Sequence, residues 1–212
     1  MENGFFITFE GADGSGKTTQ LNNIKTFLQE KGFDVVTTFE PGATKTGEKI
    51  RNILLHSEDS VADSCEMFLF LADRAQHVEM FIKPALKQGK MVLCDRHTDS
   101  TIAYQGYGRG QNVELLKKLN QIAVNGLSPD LTLLFDVSTE IAQDRVGKDK
   151  DRMEAAGIEF HKKVRNGYLE LLKENPERIK LINANNSIET VYNETKDIIL
   201  NLVTNKRGKT NA

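Results

Sequence analysis

The chain has 212 residues, 39% of them hydrophobic and 27% charged, with 28 Lys plus Arg against 30 Asp plus Glu for a formal charge of −2. That length suits one compact domain with a full hydrophobic core, and the near-neutral balance provides no global positive field to draw it to nucleic acid or a membrane surface. An anion must then be held by locally placed groups, and every apolar run is far shorter than the roughly 20 residues a membrane helix needs.

No basic stretch followed by a signal-like apolar run opens the chain. The two cysteines, Cys65 and Cys94, lie in apolar surroundings without a Cys/His spacing for zinc. The expectation is a cytoplasmic protein with two free thiols. Short β-rich apolar runs occur at Phe5–Phe9, Val35–Phe39, Met91–Cys94, Leu131–Val137 and Ile179–Ile182. Several show little alternation, as strands covered on both faces do. Helical patterns fill the stretches between them. Lys17–Lys31 carries Leu21, Ile24 and Leu28 on one stripe, and Asp63–Leu86, Val113–Val124, Glu154–Lys173 and Ile188–Val203 follow. The alternation predicts an α/β fold of about five parallel strands with helices on both faces. A polar tail, Asn205–Ala212, is expected to fray.

The strongest motif is Gly11-Ala12-Asp13-Gly14-Ser15-Gly16-Lys17-Thr18, a full G-x-x-x-x-G-K-[ST] pattern directly after a predicted strand and opening a predicted helix. Glycines let the backbone curl so that N–H groups converge on phosphate oxygens, and the helix start adds its positive dipole end. Lys17 offers a point charge to the β and γ phosphates, and Thr18 offers a hydroxyl to Mg²⁺. GTPase switch and base motifs are missing: Asp95 is followed by Arg-His-Thr, and Asn205-Lys206 by Arg-Gly. Glycines at 11, 14 and 16 do not match the G-x-G-x-x-G of a dinucleotide fold.

Three clusters bear on the phosphate acceptor. Asp95-Arg96 follows the Met91–Cys94 run, where strand ends of an open parallel sheet surround the ligand crevice. An Asp there can hold Mg²⁺ or its waters, and an Arg can clamp a phosphate in bidentate fashion; a surface ion pair has the same sequence. Phe70 and Arg74 stand four apart on a helical pattern, so a ring and a guanidinium share one face; the same residues also suit a core stripe. Thr101, Tyr104 and Gln105 share a helical face that suits sugar and base recognition, or simply a polar surface. Further on, Arg145-Val-Gly-Lys148-Asp-Lys150-Asp-Arg152 has the composition of a basic loop able to close over a transferring phosphoryl group, and equally of a charged linker.

Several stretches together resemble the thymidylate kinase family from Phe5 to about Val203. They are F-I-T-F-E-G-A-D-G-S-G-K-T-T, E-P-G-A-T-K-T-G-E-K-I-R, F-L-F-L-A-D-R-A-Q-H, V-L-C-D-R-H-T-D-S-T-I-A-Y-Q-G and a late D-R-M-E. The resemblance implies a P-loop nucleoside monophosphate kinase of 1–212 with a lid near 145–153. Its activity would be ATP-dependent conversion of dTMP to dTDP, on the route to dTTP, with Mg²⁺ and in a homodimer. ATP would lie along Gly11, Ala12, Asp13, Gly14, Ser15, Gly16, Lys17, Thr18 and Thr19, with Arg145. Thr18 and Asp95 would serve the metal, directly or through water. Phe70 would stack on thymine, Arg74 would meet its carbonyl edge, and Thr101 and Gln105 would read the base. Tyr104 would pack near the deoxyribose and Asp13 would approach the 3′-hydroxyl. Arg96, helped by Arg51, would hold the acceptor phosphate, and Glu40 would belong to the same substrate-binding set. Bacterial-type members lack an Arg inside the phosphate loop and draw catalytic charge from the lid. This chain resembles that type, and Arg145 and Lys148 are the lid candidates beside Lys17 and Arg96.

Two positions depart from the family pattern. Where T-R-E-P-G-G is common the chain has Thr38-Phe39-Glu40-Pro41-Gly42-Ala43, and His97 stands where Tyr or Phe is usual. Loss of a charge-assisted bond at position 39 costs about 1.5–3 kcal/mol of acceptor binding unless a neighbour such as Lys45 or Lys49 compensates. Competing readings are a kinase for another small acceptor such as dUMP, a nucleotide sensor without turnover, and a nucleic-acid-dependent ATPase, the last opposed by the neutral charge.

Overall fold

The computed structural model describes residues 4–147 and 152–210, with residues 205–210 by backbone alone. Five strands, β1 (Phe5–Glu10), β2 (Val35–Phe39), β3 (Met91–Asp95), β4 (Leu131–Asp136) and β5 (Ile179–Asn183), form one parallel sheet in the order β2-β3-β1-β4-β5. β1 is central, with Ile7 opposite both Leu93 on β3 and Leu131 on β4. The chain leaves β1 toward one side and later returns to the other, so the C-terminal end of β1 is the topological switch point where a crevice opens.

The helices are α1 (Lys17–Glu30), α2 (Lys45–His56), α3 (Asp63–His77), α4 (Lys83–Lys87), α5 (Thr98–Thr101), α6 (Val113–Val124), α7 (Thr139–Arg145), α8 (Ile158–Glu174) and α9 (Ile188–Thr210). The weak alternation of the strands reflects burial on both sides. Ile7 and Phe9 of β1, with Met91, Leu93, Leu133 and Phe135, pack under Leu21, Ile24 and Leu28 of α1 and Val191 and Ile199 of α9. Phe6, Val92 and Cys94 face the opposite way, toward Val78, Ile82 and Val124. On that same side Leu134 and Ile179 meet Leu116, Phe160, Val164 and Tyr168. Each fully buried Leu, Ile or Phe contributes about 1.5–3 kcal/mol to the folded state.

Differences from the sequence expectation have local causes. The helix expected over 63–86 is divided: α3 ends at His77, a wide π-helical turn spans Val78–Ile82, and α4 resumes at Lys83. Pro84 lacks an N–H to close the regular ladder, and the Lys83 N–H bonds instead to the Val78 carbonyl, five residues back. A second π-helical segment, Ile102–Gly108, carries Tyr104 and Gln105. α2 and α7 are short helices that the apolar pattern did not announce. The Thr44 hydroxyl caps α2 by accepting from the Gly47 N–H at 2.9 Å, and Ser138 caps α7. The backbone of α9 is helical through Thr210, and the rest of the tail lies outside the described residues.

α8 closes directly over the second π segment. A methyl group built on Gly108 would lie 2.6 Å from the Phe160 ring, and one on Gly167 would lie 2.8 Å from the Tyr107 ring. Helix propensity favours Ala over Gly by up to about 1 kcal/mol in a helix interior. Gly167→Ala is nevertheless expected to destabilise by about 1–3 kcal/mol, because the packed ring must move. The sign of the change in urea unfolding free energy checks this directly.

Candidate active site

The loop between β1 and α1 brings its glycines against β4 and α7. A methyl group on Gly11 would stand 2.4 Å from the Phe135 carbonyl oxygen, and one on Gly14 2.3 Å from that of Ala142, both at positive φ. Lys17 folds back into this loop, with Nζ donating to the Ala12 carbonyl at 2.8 Å and to Ser15 Oγ at 3.3 Å. Burial and the nearby Arg96 push the Lys17 ammonium down to about 8, against the opposing pull of Asp95, Asp13 and Glu10. Thr18 Oγ1 donates to Asp95 Oδ2 at 2.8 Å, so a hydroxyl and a carboxylate stand side by side at the end of β3.

Arg96 adopts φ +67, an uncommon conformation for a residue with a side chain. The turn is pinned on both sides. The Arg96 N–H donates to the Phe9 carbonyl at 2.9 Å, and the His97 N–H donates to Glu10 Oε1 at 2.7 Å. Strain held in this way concentrates at functional positions. The guanidinium meets Asp13 Oδ1 at 2.5 Å and Tyr104 Oη at 3.0 Å from Nη2, and Ser100 Oγ at 3.2 Å from Nη1. Its carbon lies 4.9 Å from the Tyr104 ring centre. Tyr104 Oη also donates to Asp13 Oδ2 at 2.9 Å. Burial opposes ionisation of Asp13, yet Arg96 and Lys17 hold its carboxyl well below the usual range.

The opposite wall rests on Glu40. Its Oε2 accepts from Arg74 Nε at 2.8 Å, and its Oε1 faces His77 Nδ1 at 2.9 Å and His97 Nδ1 at 3.0 Å. Those partners, Arg74 first, keep the carboxyl well below its ordinary value despite burial. Arg74 is only 2% exposed. It also donates to Thr101 Oγ1 at 2.7 Å, Asn120 Oδ1 at 2.6 Å and the His97 carbonyl at 2.8 Å. A second buried carboxylate, Glu66, accepts from Gln105 Nε2 at 2.9 Å and pairs with Arg109 at 3.3 Å and Arg152 at 2.5 Å.

One cleft of about 720 Å³ joins these parts, from Gly14, Lys17 and Thr18, past Asp13, Arg96 and Tyr104, to Phe70, Arg74, Thr101 and Gln105. The thymidylate kinase family model matches residues 9–195. The chain is 45% identical over 201 residues to a thymidylate kinase of Maridesulfovibrio salexigens, covering 90% of this chain and 93% of that one. It is 48% identical over 198 residues to one from an Exiguobacterium species, covering 92% and 93%. The crystal structure of thymidylate kinase from Ehrlichia chaffeensis superposes with a TM-score of 0.77 at 37% identity, covering 93% of this chain and 99% of that one. The chain belongs to the thymidylate kinase family.

Set against the thymidylate kinase pattern, the sequence-predicted residues separate into groups. Lys17, Thr18, Thr19, Asp13, Glu40, Arg51, Phe70, Arg74, Asp95, Arg96, Thr101, Tyr104 and Gln105 all line the one cleft. Of the lid candidates, Arg145 ends α7 and donates to the Ala184 carbonyl at 3.1 Å and more weakly to that of Gly14 at 3.4 Å. Lys148 lies outside the described residues. Lys45 and Lys49 are exposed on α2 and do not line the cleft. His97 stands one layer back: it is fully buried behind Glu40, edge-on to Phe6 at 5.0 Å, and touches the cleft-lining Glu40 and Arg74 without lining the cleft itself. Of the two departures, Phe39 alone faces the cleft.

Sequence reasoning missed Glu10. Its Oε2 accepts from Ser100 Oγ at 2.6 Å and Tyr168 Oη at 3.1 Å, and burial followed by Asp99 pushes its carboxyl up to about 7. Unfolded, the group titrates near 4.5. Between those values the unfolded chain gives up the proton while the folded one keeps it, so this group's contribution to stability falls as pH rises through that window. Glu10→Gln is expected to abolish the fall, on the order of 2–3 kcal/mol. Urea unfolding of both proteins at pH 5 and pH 8 measures it, and parallel curves would rule it out.

Proposed function

We propose that this protein transfers the γ-phosphoryl group of ATP to dTMP, giving ADP and dTDP, as a nucleoside monophosphate kinase. The observation that carries the proposal is the continuity of one 720 Å³ cleft, with a phosphate loop at one end, an aromatic and amide wall at the other, and Arg96 between them. Family membership supports the same reaction. ATP lies along Gly11 to Thr19 with Arg145 near its base, and the acceptor lies between Phe70, Thr101, Tyr104 and Gln105. Arg74 meets a base carbonyl by exchanging one of its present protein bonds. No general base is required, because the attacking phosphate oxygen is already ionised at neutral pH, and catalysis is positioning plus charge neutralisation. Lys17 exchanges its bonds to Ala12 and Ser15 for phosphate oxygens. Arg96 holds the acceptor phosphate while Asp13 and Tyr104 fix its plane.

Thr18 and Asp95 present two adjacent oxygens, the donor chemistry that suits Mg²⁺ completed by water and phosphate. Bound there, the ion would neutralise charge on the β and γ phosphates. No helix among the described residues is long and apolar enough to cross a membrane. We place the enzyme in the cytoplasm, and we read it as a homodimer because Phe68 on α3 and Leu115 and Ile122 on the adjoining α6 are exposed.

The test is ADP release with ATP, Mg²⁺ and a panel of dTMP, dUMP, UMP, CMP, AMP and GMP. dTMP is expected to dominate, and preference for another acceptor would overturn the assignment. Lys17→Ala and Arg96→Ala are each expected to lower kcat by about 10²–10³ with circular dichroism unchanged.

A further inference from the structure

The acceptor end of the cleft contains one cation held unlike the others. Arg96 is paired with Asp13, and Arg74 with Glu40. Arg51, on α2, has no carboxylate within ion-pairing distance among the described residues. Its Nη1 donates to the Pro41 carbonyl at 2.8 Å, and its guanidinium carbon lies 5.6 Å from the centre of the Phe39 ring. The aliphatic stem lies flush against Gly42. At φ +116 a methyl group built there would be 2.8 Å from Arg51 Cδ and 3.2 Å from its Cβ. Phe39 ends β2 and is 45% exposed, unusual for a large ring on a strand, and it lines the cleft together with Arg51. Nothing in the core requires that ring.

We propose that Phe39 is a positioning residue whose ring is the platform for Arg51, aiming an uncompensated positive charge at the phosphate of a nucleoside monophosphate acceptor. A carboxylate could fix a guanidinium equally well, but it would cancel the charge that a phosphate must meet. An aromatic face attracts the cation through its quadrupole and leaves the net charge intact. A positive residue at position 39 would instead stand beside Arg51 as a like charge, so the ring and the lone arginine replace a pair of cations by one cation on a support. The inference rests on the acceptor reading of this cleft, and Arg51→Ala tests that reading separately.

The experiment measures kcat and KM for dTMP in Phe39→Leu, Phe39→Tyr, Arg51→Ala and the double variant Phe39→Leu/Arg51→Ala. Each protein is checked for an unchanged thermal midpoint. Phe39→Leu is expected to raise KM about five- to twenty-fold with kcat within about two-fold, as expected for a cation–π contact worth roughly 1–2 kcal/mol. Phe39→Tyr keeps the ring and should keep the KM. The double variant should have the KM of Arg51→Ala alone, since a platform without its cargo does nothing. If Arg51→Ala raises KM and Phe39→Leu does not, the platform is wrong while the acceptor site stands. If the two effects multiply in the double variant, Phe39 touches the acceptor itself and the inference is overturned. An unchanged KM in Arg51→Ala would overturn the acceptor reading and the inference with it.

Discussion

Glu10 is a carboxyl group at the end of the central strand, sealed from solvent and supplied with donors from two distant parts of the chain. The His97 N–H reaches it from the turn after β3, the Ser100 hydroxyl from α5 just beyond that turn, and the Tyr168 hydroxyl from α8. A buried carboxyl without such donors would cost several kcal/mol. The turn after β3 and the face of α8 are therefore drawn to one point. Arg96 lies inside that turn, and its left-handed backbone follows from the bonds on either side of it. Close packing of α8 over the second π segment, allowed by Gly108 and Gly167, brings Tyr168 to the same place. One polar constraint thus links the sheet, α8 and the Arg96 guanidinium in the cleft.

Positive charge is handled by degrees across the cleft. Lys17 is held by neutral oxygens and driven toward deprotonation by burial, which leaves it strongly disposed toward an anion. Arg96 carries a partner, Asp13, that shares it with Tyr104 and lies inside the phosphate loop itself. Arg74 is deepest and most fully satisfied, with Glu40, Thr101, Asn120 and the His97 carbonyl around it. Arg51 is held by a ring and a carbonyl. The gradient runs from a charge fully paired in the wall to charges held by neutral groups, an order that suits the proposed reaction, in which two phosphate-bearing molecules meet.

Much of this was legible in residue order. The phosphate loop is contiguous, and its glycine spacing follows from backbone geometry alone. The parallel sheet was legible because strands buried on both faces read as short apolar runs between helical patterns. The cleft-lining set from Phe70 to Gln105 came mostly from resemblance to the family, since residue spacing left each group open to a core or surface role. The long helix from Asp63 was predicted without its break, because periodicity does not register the N–H that Pro84 lacks.

What the sequence by itself determined was the class of chemistry: an NTP-binding loop after a first strand, and an Asp-Arg pair after another. Only the tertiary structure decided which distant polar side chains stand behind those residues. Tyr168 bonds to Glu10 across 158 residues and Arg74 to Asn120 across 46, and such pairings leave no periodicity in the chain. It also decided that His97 turns inward to Glu40 while Phe39 turns outward to the cleft. Whether a residue at a strand end faces core or crevice depends on the neighbouring elements packed around it, and no local pattern carries that information.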